Sequence, residues 1–430
     1  MMIRPFCCWT ATTSLLIGAL TSVAQTPPVT IATPQAVPAA LKLTLAQAVE
    51  LAEKQSPLML QSTYQVASSR ANLSSQRAPV NPTLGYSGIN NTVGTGNFGN
   101  PENYALYGTI ETSGRQGLRT RQAKAQLQGA RFDAQTTRLT VRQATESVYV
   151  ALQVANTNLA SEQVAYIVAN RLSNLTEQQF KLGAAPETNA IRARIALTQE
   201  EQNLLQAINN VNTSRANLNI QLGRSPDTPV DSADPLEYRP ITVKLVDLQD
   251  LAMRSRPEIQ SAEQDRHALQ AVVGLEHSQY FPDTILGTTL RFEEVQVGFV
   301  FPLDLGSIRG AVSRARADVQ AQEAQEAQVR LQVQSDVRSA YLALDLARRT
   351  VETYQDGIVP RSKSLLDRIE RGYKLGASTI LDLIDAQETY RTTVNSYNNA
   401  LGDYRQAMYQ VERAVGAPVA SGAGLSQISK

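Results

Sequence analysis

Two carboxylates three residues apart, Asp382 and Asp385, stand near the start of a strongly patterned stretch that ends at Val415. On a helix that spacing places both on one face, where they would attract cations. A local use competes with this one. Thr379-x-x-Asp382 reads as a capping box, and acidic residues in a first helical turn are favoured by the helix dipole. From the residues alone, the cap is the preferred reading. Other residues with chemical potential fall away. His267 and His277 do not share a helical face and have no cysteine or Glu-x-x-His nearby, so no metal site is expected. Gly94-x-Gly96-x-x-Gly99 mimics a dinucleotide fingerprint, but it lies in an Asn-rich loop with no helix opening after it. No Ser/His/Asp or Cys/His set suggests hydrolysis, and no Met- or His-rich tract favours copper or zinc. The expectation is a non-enzyme without catalytic residues, cofactor or metal.

The elements that would position the two aspartates are long helices. Ile380, Gln387, Val394, Leu401, Met408 and Val415 form one heptad track, and Leu383, Tyr390, Tyr397, Tyr404 and Val411 form the other. Their steps alternate three and four, the period of a coiled-coil seam. Upstream, Leu344, Val351, Ile358 and Leu365 again keep a heptad. Between the segments, Gly376 suits a left-handed helix stop, and Ser378 or Thr379 suits the next cap. The pattern predicts one very long helix, a tight reversal, and a long helix packing back along it.

The chain also repeats itself. LAQAVELAEKQSP at 45–57 returns as LVDLQDLAMRSRP at 245–257, and Asn81-Pro82 returns as Phe281-Pro282. Tyr149-Val-Ala-Leu152 matches Tyr341-Leu-Ala-Leu344, and Phe180-Lys-Leu-Gly183-Ala184 matches Tyr373-Lys-Leu-Gly376-Ala377. The spacing shortens after Pro82, which places an insertion at the polar, glycine-rich loop Asn90 to Asn100. Each copy, 44–223 and 245–416, is expected to hold a first helix (44–78; 245–279), two strands, a long helix (117–182; 307–375) and a return helix (186–222; 379–416). About 65 residues at ~1.5 Å each give a long helix of roughly 100 Å. Pro360, just after Gly357, predicts a kink or restart in the second one. Val295, Val297, Phe299 and Phe301 alternate with Glu294, Gln296, Gly298 and Val300, while Tyr104, Leu106, Gly108 and Ile110 share one face. The Pro- and Asp-rich 224–244 reads as a linker, and 417–430 as a flexible tail.

The ends and the composition narrow the class. Met1 to Arg4 is a basic start, Phe6 to Leu20 is mostly apolar or small, and Ser22-Val23-Ala24 is a small-x-small cleavage site, so 1–24 reads as an export signal. The only cysteines, Cys7 and Cys8, lie inside it. Residues 25–43 are rich in Pro, Thr, Ala and Val and read as an extended tether. A formal net charge of +1 gives no case for nucleic acid. No later segment is apolar for long enough to be a membrane helix, so any membrane span would use strands.

With these parts in view, the chain resembles the TolC-like outer-membrane efflux family over about 44–416. The resemblance is carried by Gly372-Tyr373-x-x-Gly376, by Leu381-Asp382-Leu-Ile-Asp385-Ala386-Gln387, and by Tyr397, Ala400-Leu401, Tyr404 and Val415-Gly416. It implies a mixed α and β fold in which long antiparallel helices form an α-helical barrel. Four strands per protomer complete a trimeric twelve-stranded transmembrane β-barrel. Four strands alone cannot close a barrel, so oligomerisation is physically required. The implied function is the exit duct of a tripartite system, in the outer membrane and extending into the periplasm. Its implied partners are two further copies, outer-membrane lipid, a periplasmic adaptor (membrane fusion) protein, an inner-membrane pump and a small-molecule or ion cargo. The family's ring of gate carboxylates falls on Asp382 and Asp385. Its adaptor-contact tips fall on Phe180, Leu182, Gly183 and Ala184, and on Tyr373, Leu375, Gly376 and Ala377. Ala377-Ser378 departs from the apolar and basic residues many relatives carry there, and Asn189 stands where some relatives have an acid. Two alternatives are a periplasmic coiled-coil adaptor, which would carry a single hairpin, and a structural scaffold, which leaves the paired strands unexplained.

Overall fold

In the computed structural model the described residues are 41–86, 104–111, 113–289 and 295–419. The export signal, most of the tether, the Asn90–Asn100 loop with Gly94, Gly96 and Gly99, and the tail beyond Val419 lie outside them. Everything described belongs to one unit.

The same order of elements occurs twice. In the first pass it is α1 (Leu45–Gln55), α2 (Pro57–Arg77), β2 (Thr83–Tyr86), β3 (Tyr104–Ile110), α3 (Arg115–Lys181) and α4 (Glu187–Gln221). In the second it is α5 (Leu245–Ser255), α6 (Pro257–Ser278), β5 (Asp283–Thr289), β6 (Val295–Val300), α7 (Leu305–Thr353), a π-helical turn (Tyr354–Ile358), α8 (Val359–Lys374) and α9 (Ile380–Val415). Two short strands, β1 (Leu41–Leu43) and β4 (Val230–Ser232), pair in parallel. Leu41–Leu43 thus closes the expected tether as a strand, and its partner lies in the expected linker.

Each expected first helix is in fact two helices. Pro57 and Pro257 break them, because proline has no N–H to donate and forces the preceding residue out of the helical region. Ser56 sits at φ −60°, ψ 130°, and Arg256 at φ −69°, ψ 118°. Pro360 acts differently. The N–H of Val359 reaches back five residues to Tyr354 O, so the helix widens for one turn and restarts without a cap. The anticipated kink is therefore a π-turn.

Heptad positions of α9 are buried at Ile380, Leu383, Leu401, Tyr404, Met408, Val411 and Val415, and half-buried from Gln387 to Tyr397. The ends of the seam carry the packing. One core joins α5, α7 and α9 through Leu248, Val337, Leu344 and Tyr404. Another joins β1, β4, α1, α3 and α4 through Leu43, Val230, Ala52, Tyr149 and Leu218. Gly402 fits α9 closely to α3, since a Cβ there would meet Val154 Cγ2 at 2.5 Å. Tyr149 Oη lies 2.8 Å from Leu43 O, and Tyr404 donates to Arg239 O at 3.0 Å, so each core tyrosine ties its helix to extended chain.

The main sheet has the order β2-β3-β5-β6, antiparallel throughout, with both outer edges unpaired among the described residues. Leu84 faces Leu106, Gly108 faces Leu286, Leu286 faces Val297 and Thr284 faces Phe299. Because side chains alternate, all of these share one face, and Gly287 and Gly298 lie on the other. Leu84, Leu286, Val297 and Phe299 are exposed on that apolar face.

Candidate functional site

The two reversals use one backbone solution. At the first, Gly183 takes φ 70°, its N–H donates to Phe180 O at 2.9 Å, and Ala184 N–H donates to Gln179 O at 2.8 Å. At the second, Gly376 takes φ 73°, with Gly376 N–H on Tyr373 O at 3.1 Å and Ala377 N–H on Gly372 O at 2.8 Å. Both are Schellman stops, which need a residue free to adopt positive φ. Each stop leaves a leucine pointing away from the fold, Leu182 at 83% exposure and Leu375 at 85%. Gly183, Ala184, Gly376 and Ala377 are exposed beside them.

The aromatic members of the tips part company. Phe180 is exposed. Tyr373 turns inward against Leu172, Ala193, Ile380 and Leu383, in a cluster that gathers α3, α4, α8 and α9 and so brings both tips to one end. Burial raises the Tyr373 phenol above its ordinary range. Seven of the eight expected tip residues are therefore presented outward, and Tyr373 is a packing residue.

Asp382 and Asp385 both lie on the exposed side of the first turns of α9. Asp382 closes the capping box: its Oδ2 accepts from Thr379 N at 2.8 Å and from Thr379 Oγ1 at 2.7 Å, and its own N–H donates to Thr379 Oγ1 at 3.2 Å. The Thr379 N–H, then the hydroxyl, holds its carboxyl below the usual range. Asp385 has no side-chain hydrogen bond or ion pair among the described residues. The pair is thus one carboxylate engaged in local structure and one fully available.

One feature near the site escaped sequence reasoning. Arg391 of α9 pairs with Glu162 of α3 at 3.0 Å and with Glu200 of α4 at 3.2 Å, and Asn395 also donates to Glu162 Oε1. This buried triad joins the two hairpins. Its available signal was position: Arg391 follows Tyr390 in the heptad frame, at the e position that pairs across coiled-coil helices. His267 meets Gln270 Oε1 at 3.2 Å and His277 stacks edgewise on Tyr280, both on or beside α6. No described group of three or more His, Cys, Asp or Glu side chains could hold a metal ion. No described helix is long and apolar enough to cross a membrane.

Comparison with known proteins is consistent along most of the chain. Residues 48–224 and 248–417 match the model of a family described as outer membrane efflux protein. The cobalt-zinc-cadmium resistance protein CzcC of Cupriavidus metallidurans is 22% identical over 312 residues, 69% of this chain and 71% of that protein. The outer membrane protein TolC of Escherichia coli is 26% identical over 315 residues, 66% of this chain and 62% of its own length. Among solved structures, the CmeC outer membrane channel of Campylobacter jejuni superposes with a TM-score of 0.73 at 18% identity, covering 90% of this chain and 88% of that one.

Proposed function

The chain belongs to the outer membrane efflux protein family, and from that premise we propose that three copies close into one duct docked on a periplasmic adaptor and an inner-membrane pump. The protein is an outer-membrane efflux channel extending into the periplasm, and its chemistry is passage.

The observation that carries the trimer is the four-stranded sheet, apolar on one face and, among the described residues, unpaired at the outer edges of β2 and β6. In lipid every backbone N–H and C=O must be satisfied, so open edges have to meet other strands. Four strands from each of three copies make twelve, with β6 of one copy meeting β2 of the next and the apolar face turned to lipid. The helices support the same closure. Among the described helices, α3 packs between α4 and α9, and α9 packs in turn on α7 and α8, so α4 lies at one edge and α7–α8 at the other. Ile191, Ile195 and Leu205 are exposed on α4, and Leu331, Leu342 and Leu346 on α7. Two different edges that complement each other form a head-to-tail ring.

In this arrangement the tips face the adaptor, with Phe180, Leu182 and Leu375 as apolar anchors. Asp385 forms the carboxylate ring of the gate, and Asp382 holds the turn that presents it. Each protomer contributes the two copies of the element order as an internal duplication. Single-channel conductance with salt-gradient reversal potentials, alongside mass in detergent, tests the proposal. A trimer giving small, cation-selective steps is expected. A monomer that partitions as a soluble protein and gives no conductance would remove the closure and leave the scaffold reading.

A further inference from the structure

The four residues that follow α9 fold back onto it. Gly416 stops the helix at φ 79°, and Val419 N–H then donates to Glu412 Oε1 at 3.0 Å. Val419 is buried in the core that joins α5, α7 and α9, with Ala417 packed against it. Residues 416–419 thus form a strap over the last turn of α9. Beneath the strap lies a void of about 40 Å³, walled by Arg142 and Glu146 of α3, by Tyr409 and Glu412 of α9, and by the strap itself from Gly416 to Pro418. Small-molecule pockets begin at about 300 Å³, so this void is no ligand site.

Glu146 is the buried carboxyl of that void, its side chain 3% exposed, and Arg142 Nε donates to its Oε1 at 2.9 Å. The other charges that act on it are acids, Glu412 of α9 and Glu53 of α1. Glu53 is engaged with Arg138 at 2.7 Å, and Arg413 at the edge of the void is held by Glu258 at 3.0 Å. Burial raises the Tyr409 phenol to about 12, so it stays neutral beside them. Burial first, and then the two acids, push the Glu146 carboxyl up to about 7 against the pull of Arg142. Lifting the strap opens the void to water, which favours the ionised carboxylate. By linkage, ionising the carboxylate then favours lifting. We propose that residues 416–419 form a pH-responsive strap, closed over protonated Glu146 and released from the void when that carboxylate ionises. The strap is held closed in mild acid, loosens as pH rises through the window that ends near 7, and loosens no further above it.

Thiol labelling of the purified protein in detergent tests it. Cys7 and Cys8 are the only native cysteines; with both changed to serine, Val419→Cys is the single thiol. Its alkylation rate with iodoacetamide is divided by that of Leu375→Cys, at a position 85% exposed, which cancels the pH dependence of the thiol itself. The ratio should rise about tenfold between about pH 5.5 and pH 8 and then level off, and it should stay flat when Glu146→Gln is added. Val337→Cys, in the same core, should label far more slowly, because the core itself must open to expose it. A ratio constant with pH, an equal rise in Glu146→Gln, or Val337→Cys labelling as fast as Val419→Cys would each overturn the assignment. Ala417→Cys, read in the same way, decides the matter if Val419→Cys fails to fold. The readout requires no pore, so its failure is separable from failure of the duct.

Discussion

The two reversals share a backbone and differ in chemistry. Both end in the same Schellman geometry at Gly183 and Gly376, and both leave a leucine exposed. Two residues after the glycine, at Ala185 and Ser378, they diverge. The first return helix, α4, starts from Pro186 with no side-chain cap, and its third residue is Asn189. The second, α9, starts from Thr379 with a complete capping box to Asp382. The position of Asp385 is held by Arg192 in the first copy, as the Gly183–Gly376 alignment gives. The first reversal instead carries a surface network, Lys181–Glu177–Arg194, on ion pairs of 3.0 and 3.2 Å. The stop is common because it is a geometric requirement. The carboxylates occur in one copy only, which ties them to a task that one hairpin performs.

The largest expected effect comes from cutting what joins the hairpins. Arg391→Ala leaves Glu162 buried without its ion-pair partner, a loss of about 3 kcal/mol. Thermal unfolding in detergent should show it, while Arg194→Ala in the exposed network of the first reversal should change little. Equal effects from the two would mean that burial does not distinguish them.

A second contrast lies further along the long helices. Glu146 of α3 is buried beside Arg142, with Glu412 and Glu53 near, and the aligned residue of α7 is the exposed Arg338. Burial pushes the Glu146 carboxyl from 4.5 up to about 7, against the pull of Arg142. Within that window the folded chain holds a proton that the unfolded chain has released. Stability should therefore be greatest below the lower value, decline as pH rises through the window, and level off above it. The total change is about 3 kcal/mol. Glu146→Gln should flatten this part of the pH profile, and a profile identical to wild type would assign the dependence to other groups.

The gate can be divided in the same way. Asp385→Asn should weaken cation preference or raise resting leak in single-channel records without altering helix stability. Asp382→Asn should disturb the turn as well. If only Asp382→Asn changes conductance, the carboxylate ring belongs to the capping residue and the roles assigned above are reversed.

How much of this was legible in the sequence depends on how local the cause is. The Schellman stops, the Thr379 box and the heptad seam are written in neighbouring residues, and they stand where the sequence places them. The break before Pro57 was also local. It went unread because the apolar pattern runs through it, and a residue ahead of proline shifts to extended backbone without disturbing that pattern. The Glu162–Arg391–Glu200 triad was legible only in part, since the e position of Arg391 marks it for a partner on another helix without saying which. Glu162 and Glu200 lie on the consecutive helices α3 and α4, while Arg391 comes from the distant α9, and neither glutamate stands out on its own helix. Tyr373 shows the limit of analogy between copies: it aligns with Phe180, yet the neighbouring helices half-bury one and leave the other exposed.

The smallest effect tests the comparison most directly, because it transfers a part from one reversal to the other. Thr379→Ala removes the cap of α9 and should cost about 1 kcal/mol. The reverse experiment builds the box at the first reversal. Pro186 already occupies φ −63°, ψ 148°, the extended conformation that a capping threonine adopts, and Asn189 stands at the third helical position, as Asp382 does in α9. Pro186→Thr with Asn189→Asp should therefore stabilise α4 by about 0.5–1 kcal/mol, read as a rise in the unfolding midpoint. Part of that gain is offset by the loss of proline's restriction on the unfolded chain. If the midpoint rises and conductance stays as in wild type, the cap is a separable structural part, and the acid at this position acts on the passage only in the second copy. If the new aspartate also increases cation preference, both hairpins face the passage, and the asymmetry between the copies lies in sequence alone.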